Sequence, residues 1–385
     1  MIQFLLCGVS HVFFLRIRNS PDGIFPIAKL GFHRLVSLQL LVVALLVTSI
    51  VRTGLSGESV KVFILAGQSN MEGKGLPEHL ITYKKDPLIV DSYELLRNGN
   101  KWAVRDEVWI TFPSKANGAK YGPLTVGYGT KGENSIGPEF GFGHSVGEAY
   151  EDPVLIIKVA WGGKSLGVDF RPPSAGLPQQ EVIKEMLVKA QRKNPETTAE
   201  DIKTRHGHYY RELLRHVKES LAAYQIQFPM LKGIPFELAG FVWHQGFNDK
   251  VNSRMKASQY RDYTILLIDF INDIRKDLES PDLPFVIGEL STGGIPSRGE
   301  FQLAQKNAAE HRGFEGNVAF VLTAEYYDIE AQELYEKQYW KGTEEQKSLW
   351  RTVGNDRPYH YLGSGKTYYL KGKAFAEAML KMIGE

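Results

Sequence analysis

Among 385 residues the chain has one cysteine, Cys7. An internal disulfide, a cysteine-built zinc site and a thiol nucleophile are therefore excluded for everything beyond the N-terminal region. Charge of one sign is lacking too: 46 Lys and Arg are interspersed with 44 Asp and Glu, for a formal net charge of +2. Nucleic-acid binders display a basic field, so no nucleic-acid partner is expected. No repeat of fixed period and no low-complexity tract is visible. With 43% hydrophobic and 11% aromatic residues, the composition is that of a globular chain long enough to bury a full core.

One long apolar run is present, Leu35 to Val51, broken only by Ser37, Gln39, Thr48 and Ser49. Lys29 and Arg34 precede it, and the small, polar stretch Arg52 to Gly57 follows. A basic flank, an apolar centre and a small-residue exit are the layout of a signal peptide. A run of this length also stands at the short limit for a spanning helix, so the alternative is an uncleaved membrane tether through residues 35–51. Residues 1–56 are read as a leader and residues 57–385 as the folded domain. Either way the domain is expected outside the cytoplasm, secreted, periplasmic or membrane-anchored.

From Val60 onward, short continuous apolar runs alternate with amphipathic stretches, the pattern of a parallel sheet covered by helices on both faces. Strands are expected at Val60–Ala66, Pro153–Ala160, Leu238–His244, Leu283–Glu289 and Asn317–Thr323. Helices are expected at Gly141–Ala149, Gly207–Tyr224, Ala257–Lys276, Ser297–His311 and Lys371–Met382. The intervals Gly73–Gly137 and Gly167–Thr204 are rich in Gly, Pro and charge and read as long loops walling a cleft.

The first strand ends in Gly67-Gln68-Ser69-Asn70-Met71. A strand feeding a glycine turn presents the next hydroxyl at the carboxyl edge of the sheet, where α/β proteins keep their ligand sites. Ser69 is thus a candidate nucleophile; the competing reading is a helix cap. This block resembles the signature of the SGNH hydrolases, and within them the sialate O-acetylesterase-like and acetylxylan esterase-like carbohydrate esterases. Gly137-Pro138-Glu139-Phe140-Gly141, Trp161-Gly162-Gly163-Lys164-Ser165 and Trp243-His244-Gln245-Gly246 follow in the family's order, and a block around His360 completes the set. The resemblance implies a three-layer α/β/α, flavodoxin-like fold. It also implies a serine esterase that removes O-acetyl groups from carbohydrates.

Acyl transfer by serine needs a base, a group that orients the base, and donors for the oxyanion. Of ten histidines, the resemblance places the base at His360; the competing reading is a buried structural histidine. Many family members carry an aspartate three positions before that histidine, but here position 357 is Arg. Asp356 is the first candidate for the acid, Glu325 and Asp328 are rivals, and a dyad with no acid is a further alternative. Amides of Ser69 and of Gly162 or Gly163 are candidate oxyanion donors. By resemblance Gln245 supplies another, and Gln68 is grouped with it as oxyanion or substrate-binding. Phe247 stands where relatives often carry an acid, which leaves a carboxylate role there open. Glu139 and Gln68 are also read as loop-holding residues.

Three decoys need separating. Gly163-Lys164-Ser165-Leu166-Gly167 satisfies Gly-x-Ser-x-Gly, but Pro172-Pro173 follow where a nucleophile elbow must open a helix. Gly363-Ser364-Gly365-Lys366-Thr367 lacks the first glycine of a phosphate loop. His206-Gly207-His208 has no third ligand at fixed spacing. The chemistry needs neither metal nor organic cofactor, and none is expected; the partner is the acetylated carbohydrate. Two alternatives stay open: an esterase for other small acyl esters, and a carbohydrate-binding protein that kept the fold without the chemistry.

Overall fold

The computed structural model describes residues 59–114, 118–251, 260–291 and 299–385. The apolar run at residues 35–51 lies outside them. Five strands stand where continuous apolar runs predict them: β1 (Val60–Gly67), β4 (Val154–Ala160), β5 (Phe236–His244), β6 (Phe285–Gly288) and β7 (Val318–Val321). Two more, β2 (Arg105–Ser114) and β3 (Gly118–Leu124), arise inside the interval expected to be loop. They extend one edge of a seven-stranded sheet of order β3-β2-β4-β1-β5-β6-β7. All neighbours are parallel except β2 and β3, which pair antiparallel.

The expectation of a structureless interval is corrected by a period-two signal: Val108, Ile110 and Phe112 are fully buried and alternate along β2, as one covered face requires. Pro113, Gly118, Gly122 and Pro123 obscure it, and an edge position is where a sheet tolerates them. The second interval also holds a helix, Gln180–Gln191.

Five long helices complete the layers: α1 (Pro138–Ala149), α2 (His208–Gln227), α3 (Tyr260–Asp277), α4 (Glu300–Ala309) and α5 (Gly365–Ile383). Side chains of β1 alternate between faces. Val62, Ile64 and Ala66 join the core under α2, α3 and α4, with Tyr210, Leu213, Phe270 and Phe301. Phe63 and Leu65 join the opposite core under α1 and α5, with Phe142, Phe375 and Met379. This is the three-layer α/β/α arrangement expected from the sequence.

The α1–α5 contact sets the position of the chain's last segment. Gly141 and Gly372 form the crossing: a side chain on Gly372 would collide with the Pro138 carbonyl, and one on Gly141 with the Tyr369 carbonyl. Glycine is used here because the two backbones touch. Gly372→Val is expected to destabilise the protein by about 1–3 kcal/mol through overpacking, measured as a lowered denaturation midpoint in urea. An unchanged midpoint would show that the helices part without cost.

Candidate active site

The strand order reverses at β1, whose neighbours are β4 on one side and β5 on the other. Such a reversal opens a crevice at the carboxyl ends of the strands. Register makes the convergence concrete: Gly67 stands level with Ala160 of β4 and with His244 of β5. Ser69, Gly162 and Gln245 therefore emerge side by side. Gly67 is needed because its α carbon lies against the His244 carbonyl, leaving no space for a side chain.

After Gly67 the chain makes one helical turn, Ser69–Glu72. Gln68 holds the cap position, its carbonyl accepting from the Met71 and Glu72 amides at 2.7 and 2.9 Å. Ser69 is the first helical residue and its hydroxyl caps nothing, so the capping reading fails. A Cβ placed on Gly162 would stand 3.6 Å from the Ser69 Cβ.

His360 lies in a short turned segment, Pro358–Gly363, just ahead of α5. The segment meets the serine turn directly. Asn70 donates its Nδ2 to the Tyr359 carbonyl at 3.1 Å, and Tyr368 of α5 donates its hydroxyl to Asn70 Oδ1 at 3.0 Å and to the His360 carbonyl at 3.3 Å. The neighbour of Ser69 is thus bonded to the residue before His360 and, through Tyr368, linked to the His360 carbonyl.

His360 Nδ1 stands 3.4 Å from Asp356 Oδ2, an ion-pair separation. Of the three acids considered, Asp356 is the one beside the imidazole. Asp328 is buried elsewhere, accepting from the Tyr83 hydroxyl at 2.7 Å and capping the helix Ile329–Glu336, and Glu325 is exposed. Burial pushes the Asp356 carboxyl up. The His360 imidazole, the Arg357 amide at 2.8 Å and the Lys131 ammonium at 3.2 Å outweigh that and hold it well below the usual carboxylate range.

A family model described as carbohydrate esterase, sialic acid-specific acetylesterase, matches residues 59–335. The chain belongs to this family. It is therefore a carboxylic ester hydrolase that acts on carbohydrate. His360 falls beyond the matched residues. No curated protein sequence matches this one. Among solved structures the esterase is similar to a protein from Arabidopsis thaliana at 16% identity, covering 84% of this chain and 98% of that one, TM-score 0.44. It is similar to a carbohydrate acetylesterase from Xanthomonas citri at 15%, covering 84% and 57%, TM-score 0.43. It is also similar to NanS at 16%, covering 86% and 99%, TM-score 0.47.

The loops of the esterase are pinned by buried polar groups, several of which carried no expected role. Asp249 accepts from the Leu166 and Gly167 amides at 2.8 and 2.9 Å and from Gln245 Nε2 at 2.6 Å. Asp249, two residues past Phe247, is thus a carboxylate that fastens this loop to the one after β4. Burial outweighs these bonds and pushes the Asp249 carboxyl up to about 6. Gln245 also donates to the Lys164 carbonyl and to Gln68, and Gln68 Oε1 accepts the Gly246 amide. Gln68 Nε2 donates to Asn248 Oδ1 at 3.1 Å, so the side-chain amides of both Gln245 and Gln68, grouped in the sequence with the oxyanion or substrate, carry bonds to the frame. The Gly162 amide donates to Glu72 Oε1 at 2.9 Å.

The decoys separate cleanly. Ser165 donates its hydroxyl to Asp169 at 3.0 Å, and turns rather than a helix follow it. Ser364 caps α5. His206 Nδ1 is bonded to the Ile202 carbonyl at 2.8 Å, and no group of three metal-ligating side chains occurs among the described residues.

Lys158 is the least expected member of the site. It sits in β4 with no exposed side-chain surface and donates to the Glu72 carbonyl at 2.8 Å, the Tyr128 carbonyl at 2.7 Å and Glu139 Oε2 at 2.6 Å. Glu139, equally buried, also accepts the Gly137 amide at 2.7 Å, the loop-holding role expected of it. A lone lysine inside an apolar run was the available signal, since a buried charge demands a partner. Lys158→Met is expected to cost about 3–5 kcal/mol in urea denaturation by stranding Glu139. Lys158→Met with Glu139→Leu should recover most of that loss; a double variant no better than the single would refute the pairing.

Proposed function

We propose that the esterase removes O-acetyl groups from a carbohydrate through an acyl-enzyme on Ser69, with His360 as base and Asp356 orienting the imidazole. The observation that carries this reading is the Asn70–Tyr359 hydrogen bond, which joins the serine turn to the histidine loop. Ser69 Oγ attacks the ester carbonyl while its proton passes to the imidazole nitrogen turned away from Asp356. The tetrahedral intermediate collapses, the same proton goes to the departing sugar oxygen, and the acetyl group stays on Ser69. Water, deprotonated by His360, then attacks the acyl carbon; the Oγ–C bond breaks, the imidazole returns that proton to Ser69 Oγ, and acetate leaves. The amides of Ser69 and Gly163 are the oxyanion donors of this reading, the Gly162 amide being bonded to Glu72.

The catalytic domain in this proposal is residues 57–385, preceded by a leader that exports it or tethers it. Among the described residues no helix is long and apolar enough to cross a membrane; the expected tether lies outside them.

Ser69→Ala and His360→Ala are each expected to lower acetate release from acetylated oligosaccharides by about 10³-fold or more, with the double variant little worse because the two act as a unit. Multiplicative losses, or a Ser69→Ala variant that still turns over, would sink the assignment. A panel of acetylated xylan, acetylated sialic acid and simple acetyl esters assigns the substrate.

Asp356 stays ionised below the usual carboxylate range. Its contribution to stability is therefore complete above that range and is lost as pH falls below it. Asp356→Asn should accordingly slow turnover by between about 10- and 10⁴-fold and yet keep the acidic limb of the pH–rate profile. Loss of that limb in the variant would make Asp356 the titrating base instead.

A further inference from the structure

A cavity of about 260 Å³ opens beside the candidate active site, between the β2–β3 hairpin and the first turns of α2. Its walls include Pro113, Trp161, Tyr209, Glu212, Arg215 and His216. Trp161 is the residue before Gly162, so the cavity shares a loop with the site. Thr111 of β2 is level with Ile157 of β4, and Pro113 lies two residues further along the strand, toward the carboxyl end of the sheet. Two interstrand spacings separate β2 from β1, about 10 Å. The cavity is therefore within reach of a glycan whose acetylated ring lies over Ser69.

The lining has the two halves that a sugar ring needs. One wall is aromatic: the buried Trp161 backs the half-buried Tyr209, the two meeting edge to face with centroids 5.1 Å apart, so that Tyr209 offers apolar surface to the C–H face of a pyranose. The rim is a fixed polar ladder on α2. Arg215 bridges Glu212 and Glu219 at 2.7 Å to each, and its Nη2 stands 2.8 Å from His216 Nε2. Donors and acceptors for hydroxyls are thus already oriented.

Arg215, Lys164 and Arg205 stand against Glu212, Glu219 and Asp169, so the charges within this rim cancel. Arg215 is held by two carboxylates, and Lys164, whose Nζ lies 4.3 Å from the Tyr209 ring centroid, stands 4.0 Å from Asp169. No cation of this set is left over for a carboxylate on the ligand. We infer that the cavity is a subsite for an uncharged sugar ring of the glycan that carries the acetyl ester. The inference rests on the proposed reading at Ser69 only for the direction in which the glycan runs.

The test uses the full chain in two arms. In the first, Ser69→Ala protein is titrated calorimetrically with xylotriose, cellotriose and mannotriose, and with sialyllactose as the anionic counterpart. At least one neutral trisaccharide should bind more tightly than sialyllactose, and adding Tyr209→Ala should weaken it by about tenfold. In the second, the ratio of kcat/KM on acetylated oligosaccharide to that on 4-nitrophenyl acetate should fall by about tenfold in Tyr209→Ala, and also in Glu212→Gln, which keeps the aromatic wall. Binding by none of the neutral trisaccharides, tighter binding of sialyllactose, or an affinity indifferent to both substitutions would overturn the subsite. An inactive wild-type protein that still binds a neutral trisaccharide through Tyr209 would instead refute the acyl-transfer reading and leave the subsite standing.

Discussion

A lysine sealed from water stands at the centre of this molecule. Lys158 has three protons to donate and meets three acceptors, one from the serine turn, one from the loop at Tyr128 and one from Glu139 at the start of α1. Burial pushes the Glu139 carboxyl up and the Lys158 ammonium down, while each favours the charged form of the other. Such a pair contributes little net stability against an apolar alternative, but breaking it leaves an uncompensated charge. Its consequence here is positional: strand, serine turn and helix cannot move independently.

The second constraint acts across the full length of the domain. The segments that carry residues 69 and 360 are brought together as α5 packs on α1 through two glycines, which brings Tyr368 against the serine turn. Tyr368 and Asn70 then lock the histidine loop onto that turn through three hydrogen bonds. The histidine loop is thus placed by a helix of the scaffold, as a precise constellation requires.

Beneath the loop lies a buried layer that explains its unusual backbone. Tyr361 and Leu362 adopt left-handed conformations, with φ of 50° and 59°, at a cost of about 1–3 kcal/mol each. Both side chains are fully buried. The Tyr361 hydroxyl lies 3.2 Å from His244 Nε2, and the Lys371 ammonium, bonded to Ser291 at 3.0 Å, lies over the Tyr361 ring. Burial, with Lys371 close by, pushes the His244 imidazole down to about 3. The histidine of the Trp-His-Gln-Gly block is therefore a neutral strut under the loop.

Much of this was legible in the chain itself. Continuous apolar runs identify strands covered on both faces, and all five of the expected ones form because burial of both faces is a local property of composition. The Gly-Gln-Ser-Asn-Met and Trp-Gly-Gly blocks are legible for the same reason, since a strand end and a glycine turn are written within a few residues. What tertiary structure alone decided is how distant segments meet. The edge hairpin β2–β3 needed a neighbouring strand to become visible, and Asn70, Lys158 and Asp249 have partners up to 298 positions away. The pairing of Asp356 with His360 depends on loop geometry that no offset rule encodes. Local pattern specifies elements because hydrophobic periodicity repeats within them; a site assembled from hydrogen bonds between loops exists only once packing has brought those loops together.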